Sequence, residues 1–321
     1  KATIKNVTLS VLPNAGASGG VGGFVGRAEN SVYAHNLVVT SDANAETIIG
    51  AQNATSLKNV GGIAGNITGD SKFKFDSCEV SNIDFESREV SGGISGNISN
   101  APNVTCNNVV ISGNNFSSSY AGGINGSLGN APTFNIANTV IKNNVFVNRN
   151  NAWEGSPKGN NTRSRSGGLG GDGKGVYKLA NVLFDSNDFQ GKDGQGIFFG
   201  DAKSGLKIYA AGIDIKPGNG KARNDLPPLL FDTTTDQSTV KQINMVSYVA
   251  FADYEDTFAN YKDTLVALGT NTTLYSDDDA SGNETVAVSP YVTNSPMSKI
   301  AVRVSNTDTT DRFLFGDGAN V

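Results

Sequence analysis

A single histidine, His35, among 321 residues leaves no second imidazole for a zinc site, and no H-E-x-x-H protease signature occurs. A Ser-His-Asp triad would have to be built on that one residue, which stands in Val32-Tyr33-Ala34-His35-Asn36-Leu37 with no Cys or His beside it. Charged residues are scarce as well, 17% against 37% hydrophobic, which fits neither a charged disordered tail nor a helical protein. Lys and Arg number 25 against 30 for Asp and Glu, and the net charge of −5 excludes nucleic-acid binding, which needs clustered cations. No apolar run approaches the roughly eighteen residues of a spanning helix, so no membrane-spanning segment is expected in this chain. Lys1 opens the sequence without an initiator Met or an apolar leader, as expected of a processed secreted protein or of part of a longer polypeptide.

What the chain does hold in quantity is glycine, 39 residues, with very many Asn and Ser. Glycine and asparagine tolerate positive φ, so a chain dense in them with interspersed Val, Ile and Phe punctuates many short strands with tight corners. The glycines recur in a pattern. Gly22-Gly23-Phe24-Val25-Gly26, Gly61-Gly62-Ile63-Ala64-Gly65, Gly92-Gly93-Ile94-Ser95-Gly96, Gly122-Gly123-Ile124-Asn125-Gly126 and Gly167-Gly168-Leu169-Gly170-Gly171 share one form, with a weaker copy at Gly196 to Gly200. Their first glycines are 39, 31, 30 and 45 residues apart (61 − 22, 92 − 61, 122 − 92, 167 − 122), a period near thirty that carries insertions.

A second element lies between them. Val110-Ile111-Ser112-Gly113-Asn114-Asn115-Phe116, Val140-Ile141-Lys142-Asn143-Asn144-Val145-Phe146 and Leu183-Phe184-Asp185-Ser186-Asn187-Asp188-Phe189 each place an apolar pair, a corner Asn and an inward Phe in the same order. A lone unit of this size cannot bury its Ile, Val and Phe, whereas stacked units form inward columns and pair each strand above and below. The expected fold is therefore all-β, a right-handed parallel β-helix with coils of about thirty residues and three short strands per coil. Asn114, Asn144 and Asn187 are expected to form a hydrogen-bonded ladder at one corner. The paired glycines are expected to serve corner geometry; they are not phosphate loops, since no helical periodicity follows them. Cys78 and Cys106 lie about one repeat apart but a few positions out of register, which leaves a disulfide and two small buried hydrophobes as the two readings.

The segments Val21 to Gly26 and Val60 to Gly65, the latter followed by Phe75-Asp76-Ser77-Cys78-Glu79-Val80, resemble the GLUG repeat of bacterial surface proteins and of secreted peptidases that act on immunoglobulin A. The later copies, with Phe184-x-x-Asn187 and Gly-Gly-Ile, also resemble the repeats of chlamydial polymorphic membrane proteins, which are β-helical adhesins. The likeness covers roughly residues 20 to 205, and its motifs are short and degenerate. It implies a β-helix that is extracellular, on the cell surface or secreted.

The repeat is expected to occupy residues 1–215, with an insertion loop over about 148–175. Irregular chain with Pro217, Pro227 and Pro228 follows over 216–239, and a small β-rich domain or cap over 240–321. The insertion holds the single Trp, and Asn151, Trp153, Arg163 and Arg165 form the candidate ligand-binding set for a sugar or a protein. Asp277, Asp278 and Asp279, near Asn283 and Glu284, offer oxygen ligands for calcium; no other cofactor is expected.

Asp172, Asp185, Asp188, Asp193 and Asp201 fall within two coils, and acid pairs about 5 to 9 Å apart serve glycoside cleavage. Asp185 and Asp188 stand in the Asn-corner element, where Asp replaces Asn readily. The favoured reading is a non-enzymatic, adhesin-like module that attaches to a host or bacterial surface protein or glycan. A polysaccharide-cleaving β-helix (hydrolase or lyase) is the rival, and a passive stalk of a larger surface protein is the third.

Overall fold

The computed structural model describes residues 2–5, 20–29, 31–42, 47–50, 58–69, 72–101, 103–130, 132–148, 165–190, 194–203 and 206–215, together with 242–245, 300–302 and 313–315. Among them every regular element is a strand, and no helix is long and apolar enough to cross a membrane. The strands stack in parallel into four sheets of eleven, five, six and six strands. The exception is a separate antiparallel pair, Ile300–Val302 with Phe313–Phe315. This is the parallel β-helix that the repeats require.

The glycine spacing is the coil length. Gly22, Gly61, Gly92, Gly122, Gly167 and Gly196 are successive partners in the third sheet, so the intervals of 39, 31, 30, 45 and 29 residues (the last 196 − 167) each close one turn. The paired glycines are needed for close approach. A Cβ on Gly92 would lie 2.2 Å from the Ser95 carbonyl oxygen, and one on Gly93 would lie 2.2 Å from that of Gly123, so neither tolerates a side chain.

One turn contains more strands than expected. Lys72–Asp76, Glu79–Ser81, Asp84–Glu86, Val90–Gly92 and Ser95–Ser99 make five segments where the sequence predicts three. The first two belong to the same sheet and are separated by Ser77 and Cys78, the former left-handed; Asn36, Asn108, Asn138 and Asn181 take the same conformation in other turns, all with φ between 49° and 59°. Such a residue bends the strand without ending its pairing. In later coils the two segments fuse into Thr133–Lys142 and Val176–Asp185. The glycine corner likewise lies between two strands, Val90–Gly92 and Ser95–Ser99, of different sheets.

Inward columns form the core. Phe85, Phe116, Phe146 and Phe189 stack in sequence with ring centroids 4.8, 4.9 and 5.0 Å apart. Ile63, Ile94, Ile124 and Leu169, which follow the second to fifth glycine pairs, and Phe198 at the same place in the last copy, are all buried, whereas Phe24 after the first pair is exposed. The Asn ladder is also present. Asn114 Nδ2 donates to Asn144 Oδ1 and Asn144 Nδ2 to Asn187 Oδ1, each at 3.0 Å, and the second amide hydrogens reach the Val80, Ile111 and Ile141 carbonyls. All three are buried, so these bonds satisfy groups that water does not reach.

Two readings need correction. The insertion is shorter than 148–175, because Arg165–Gly167, Gly170–Gly173 and Val176–Asp185 are coil strands in register with Tyr120–Gly122, Asn125–Leu128 and Thr133–Lys142. The repeat sheet also extends past 215, since Gln242–Met245 pairs in parallel with Lys207–Ala210. Both cysteines are free and buried. Cys106 is paired with Phe75 across the sheet, which leaves Cys78 three positions out of register with it (78 − 75). Desolvation pushes both thiols up.

Candidate functional site

Two groups of side chains stand out, one buried and one exposed. The buried group lies where the third and fourth sheets meet in the last coils. Arg165 was expected in an exposed loop, yet it is 1% accessible and its guanidinium is paired with the Asp201 carboxylate, itself fully buried. Lys203 reaches the same carboxylate oxygen, and the Tyr120 ring lies 5.6 Å from the Arg165 guanidinium carbon. The correction has a simple cause: Ser166 and Gly167 continue the glycine-corner register, which fixes Arg165 on the sheet. Of its proposed companions, Asn151, Trp153 and Arg163 lie outside the described residues, as do Asp277, Asp278 and Asp279. Among the described residues no group of three His, Cys, Asp or Glu is placed to hold a metal ion.

The five candidate acids separate. Asp172 and Asp201 are direct cross-strand partners in the fourth sheet, on one face with rungs about 4.8 Å apart. Asp185 ends a strand of the first sheet and Asp188 starts one of the second, while Asp193 lies outside the described residues. Asp172 accepts hydrogen bonds from the Ser127 hydroxyl (3.2 Å) and the Leu128 amide (3.0 Å). Burial nevertheless pushes its carboxyl up to about 6, against the lowering effects of Lys203 and of those two bonds, and Asp201 adds to the rise. An adjacent pair of acids with one carboxyl raised is the pattern of glycoside cleavage, but here Asp201 is neutralised by two cations and closed to solvent.

The raised carboxyl has a measurable consequence. Folded Asp172 keeps its proton up to about pH 6, whereas in the unfolded chain it loses it near 4. Between those values the folded state binds more protons, so this residue makes stability fall as pH rises from about 4 to 6. Asp172→Asn, which mimics the protonated acid, is expected to flatten that slope in urea titrations at stepped pH. An unchanged slope would remove Asp172 as its source.

The exposed group sits on the outer face of the first sheet. His35 and Asp76 are cross-strand partners, and His35 Nδ1 lies 2.9 Å from Asp76 Oδ2. The carboxylate accepts, so Nδ1 carries the hydrogen of this bond. Asp76 is itself held by a series of amides: Asn181 Nδ2 donates to Asn138 Oδ1 (2.8 Å), Asn138 Nδ2 to Asn107 Oδ1 (3.0 Å) and Asn107 Nδ2 to Asp76 Oδ1 (3.0 Å). Aligned donors that end on a carboxylate reinforce one another. Tyr33 stacks beside His35 with centroids 5.8 Å apart, and Lys74 Nζ is 5.3 Å from the Tyr33 ring centre.

Sequence reading passes over this group because His35 and Asp76 are 41 residues apart (76 − 35), wider than the base period by the insertion in that coil. The available signal was strand alternation, which puts Tyr33 and His35 on one outward face. Comparison with family models, curated proteins and solved structures finds no match, so the likeness to the two repeat families rests on the quoted residues alone.

Proposed function

We propose that the chain is an extracellular, adhesin-like binding module of a bacterial surface or secreted protein, which attaches to a protein or glycan ligand through its outer face. One observation carries the reading: Tyr33 is 61% exposed and is grouped with His35 and Lys74 on a sheet whose inner side is tightly packed. An aromatic ring held in water among polar groups costs solvation that a ligand recovers. The repeat resemblance to surface proteins points the same way, and the occlusion of Asp201 argues against the polysaccharide-cleaving alternative.

The test is attachment. The purified chain, coupled to beads, is applied to immobilised matrix proteins and glycans and to cultured cells, beside a Tyr33→Ala, His35→Ala double variant. Retention by the parent and loss by the variant is the expected result. Turnover of any polysaccharide that is lost in Asp172→Asn would replace the binding reading with the enzymatic one. Failure of the parent to attach to anything would leave the passive stalk.

A further inference from the structure

We infer that a groove on the outer face of the first sheet takes a short neutral oligosaccharide laid along the helix axis, an inference that rests on the binding-module reading above and names its ligand class. The groove, of about 290 Å³, follows the bend in that sheet beside His35. Asn36, Ser77 and Asn108 line it in one column, and Val38, Glu79 and Val110 in a second, with their neighbours Val39, Val80 and Ile111 turned into the core. Asn36, Ser77 and Asn108 are the left-handed residues of successive coils, with φ of 53°, 54° and 53°, so their side chains leave the backbone in one direction, a rung apart. Glycine suits that conformation best, and the chain uses it at Gly113. At the bends it keeps polar side chains. Asn138 and Asn181 spend theirs in the amide series that ends on Asp76, whereas those of Asn36, Ser77 and Asn108 make no hydrogen bond among the described residues. Polar groups in register beside valine methyls are the composition of a small-ligand site.

Charge selects against an anion. Glu79 is the one charged residue of the lining, and its Oε1 accepts from the Ser81 hydroxyl (2.7 Å), which leaves Oε2 to accept from a sugar hydroxyl. No Lys or Arg lines the groove and the chain carries a net charge of −5, so a carboxylate or sulfate on the ligand is repelled. Spacing selects sugar over peptide. Rungs repeat at about 4.8 Å, close to the length of one sugar residue, whereas an extended peptide advances about 3.3 Å per residue and falls out of step. Val38 and Val110 meet the C–H faces of the rings. The length is set by where the groove departs from the repeat: in the next two coils the second column continues as Val140 and Leu183, which are 0% and 2% accessible. Three coils are open, and the volume lies at the small end of the roughly 300–1,000 Å³ of ligand sites.

The experiment is calorimetric titration of the full chain with cello-, xylo-, manno-, malto- and N-acetylated chito-oligosaccharides, from monosaccharide to hexasaccharide. At least one series should bind, with affinity rising to the trisaccharide and level beyond it, one ring for each open coil. Added salt should leave the affinity unchanged. Asn36→Gly with Asn108→Gly removes two amides where glycine accepts the backbone without strain, so the thermal midpoint should hold while affinity falls about tenfold, the scale of two hydrogen bonds. Val110→Trp, which fills the groove from an outward position, should abolish binding by a separate route. No binding of any neutral series, unchanged affinity in the double glycine variant, binding retained in Val110→Trp, or affinity that falls with salt would each overturn the inference. If beads still attach to cells after Asn36→Gly with Asn108→Gly but not after Tyr33→Ala with His35→Ala, the binding-module reading survives and this ligand assignment does not. Saturable oligosaccharide binding by a chain that attaches to no cell or matrix would keep the groove and remove the adhesin reading.

Discussion

Arg165→Ala is expected to destabilise the last coils by about 3–5 kcal/mol, the cost of stripping one partner from a buried ion pair. The guanidinium and the Asp201 carboxylate are both inaccessible to solvent, so the acid cannot recover its hydration when the cation is removed. Lys203 remains on the same oxygen, but its side chain is 29% accessible and its pairing is correspondingly screened. The Tyr120 ring loses its cationic neighbour in the same step. Replacing both members, Arg165→Met with Asp201→Leu, should recover much of the loss, because the desolvation of the pair disappears with it. In a stacked fold the effect is local: each coil touches only its neighbours. Urea denaturation followed by circular dichroism measures the total, and amide exchange in Arg165–Gly167 and Phe199–Ala202 should accelerate before that in Val90–Gly92. A loss below about 1 kcal/mol would mean that the ion pair is not buried in solution.

What the sequence displays and what it hides divide along one line. Features that repeat at the coil period are legible: the glycine pairs, the Asn114, Asn144 and Asn187 ladder, and the columns of Phe and Ile all rest on identical residues meeting their own copies. Features made by unlike residues are not. Arg165 meets Asp201 from a different sheet, 36 residues on (201 − 165), and no repeat of either residue signals the meeting. His35 meets Asp76 across an enlarged coil, so a search at the base period misses it. The strand count was hidden for another reason, since a lone left-handed Ser77 or Asn108 splits one sheet segment into two without any glycine or proline to mark the break. Candidate sites on this chain are departures from the repeat, and repetition locates only the scaffold that carries them.

That scaffold is weakest where one column residue has two stacked partners to lose. Phe116 lies between Phe85 and Phe146 at 4.8 and 4.9 Å, whereas Phe189 stacks on Phe146 with no further aromatic partner among the described residues. Phe116→Ala is expected to cost about 3–5 kcal/mol, the lost transfer energy plus a cavity that stacked strands pinned above and below cannot close. Phe189→Ala should cost less by about 0.5–1.5 kcal/mol, one aromatic contact. Phe116→Leu keeps most of the volume and should cost well under half the alanine value. Equilibrium unfolding in urea, with unchanged m-values as the check that all variants unfold over the same surface, ranks the three. If Phe189→Ala proves as costly as Phe116→Ala, the column is not acting through pairwise stacking, and its stability comes from backbone pairing that every coil shares regardless of what fills the centre.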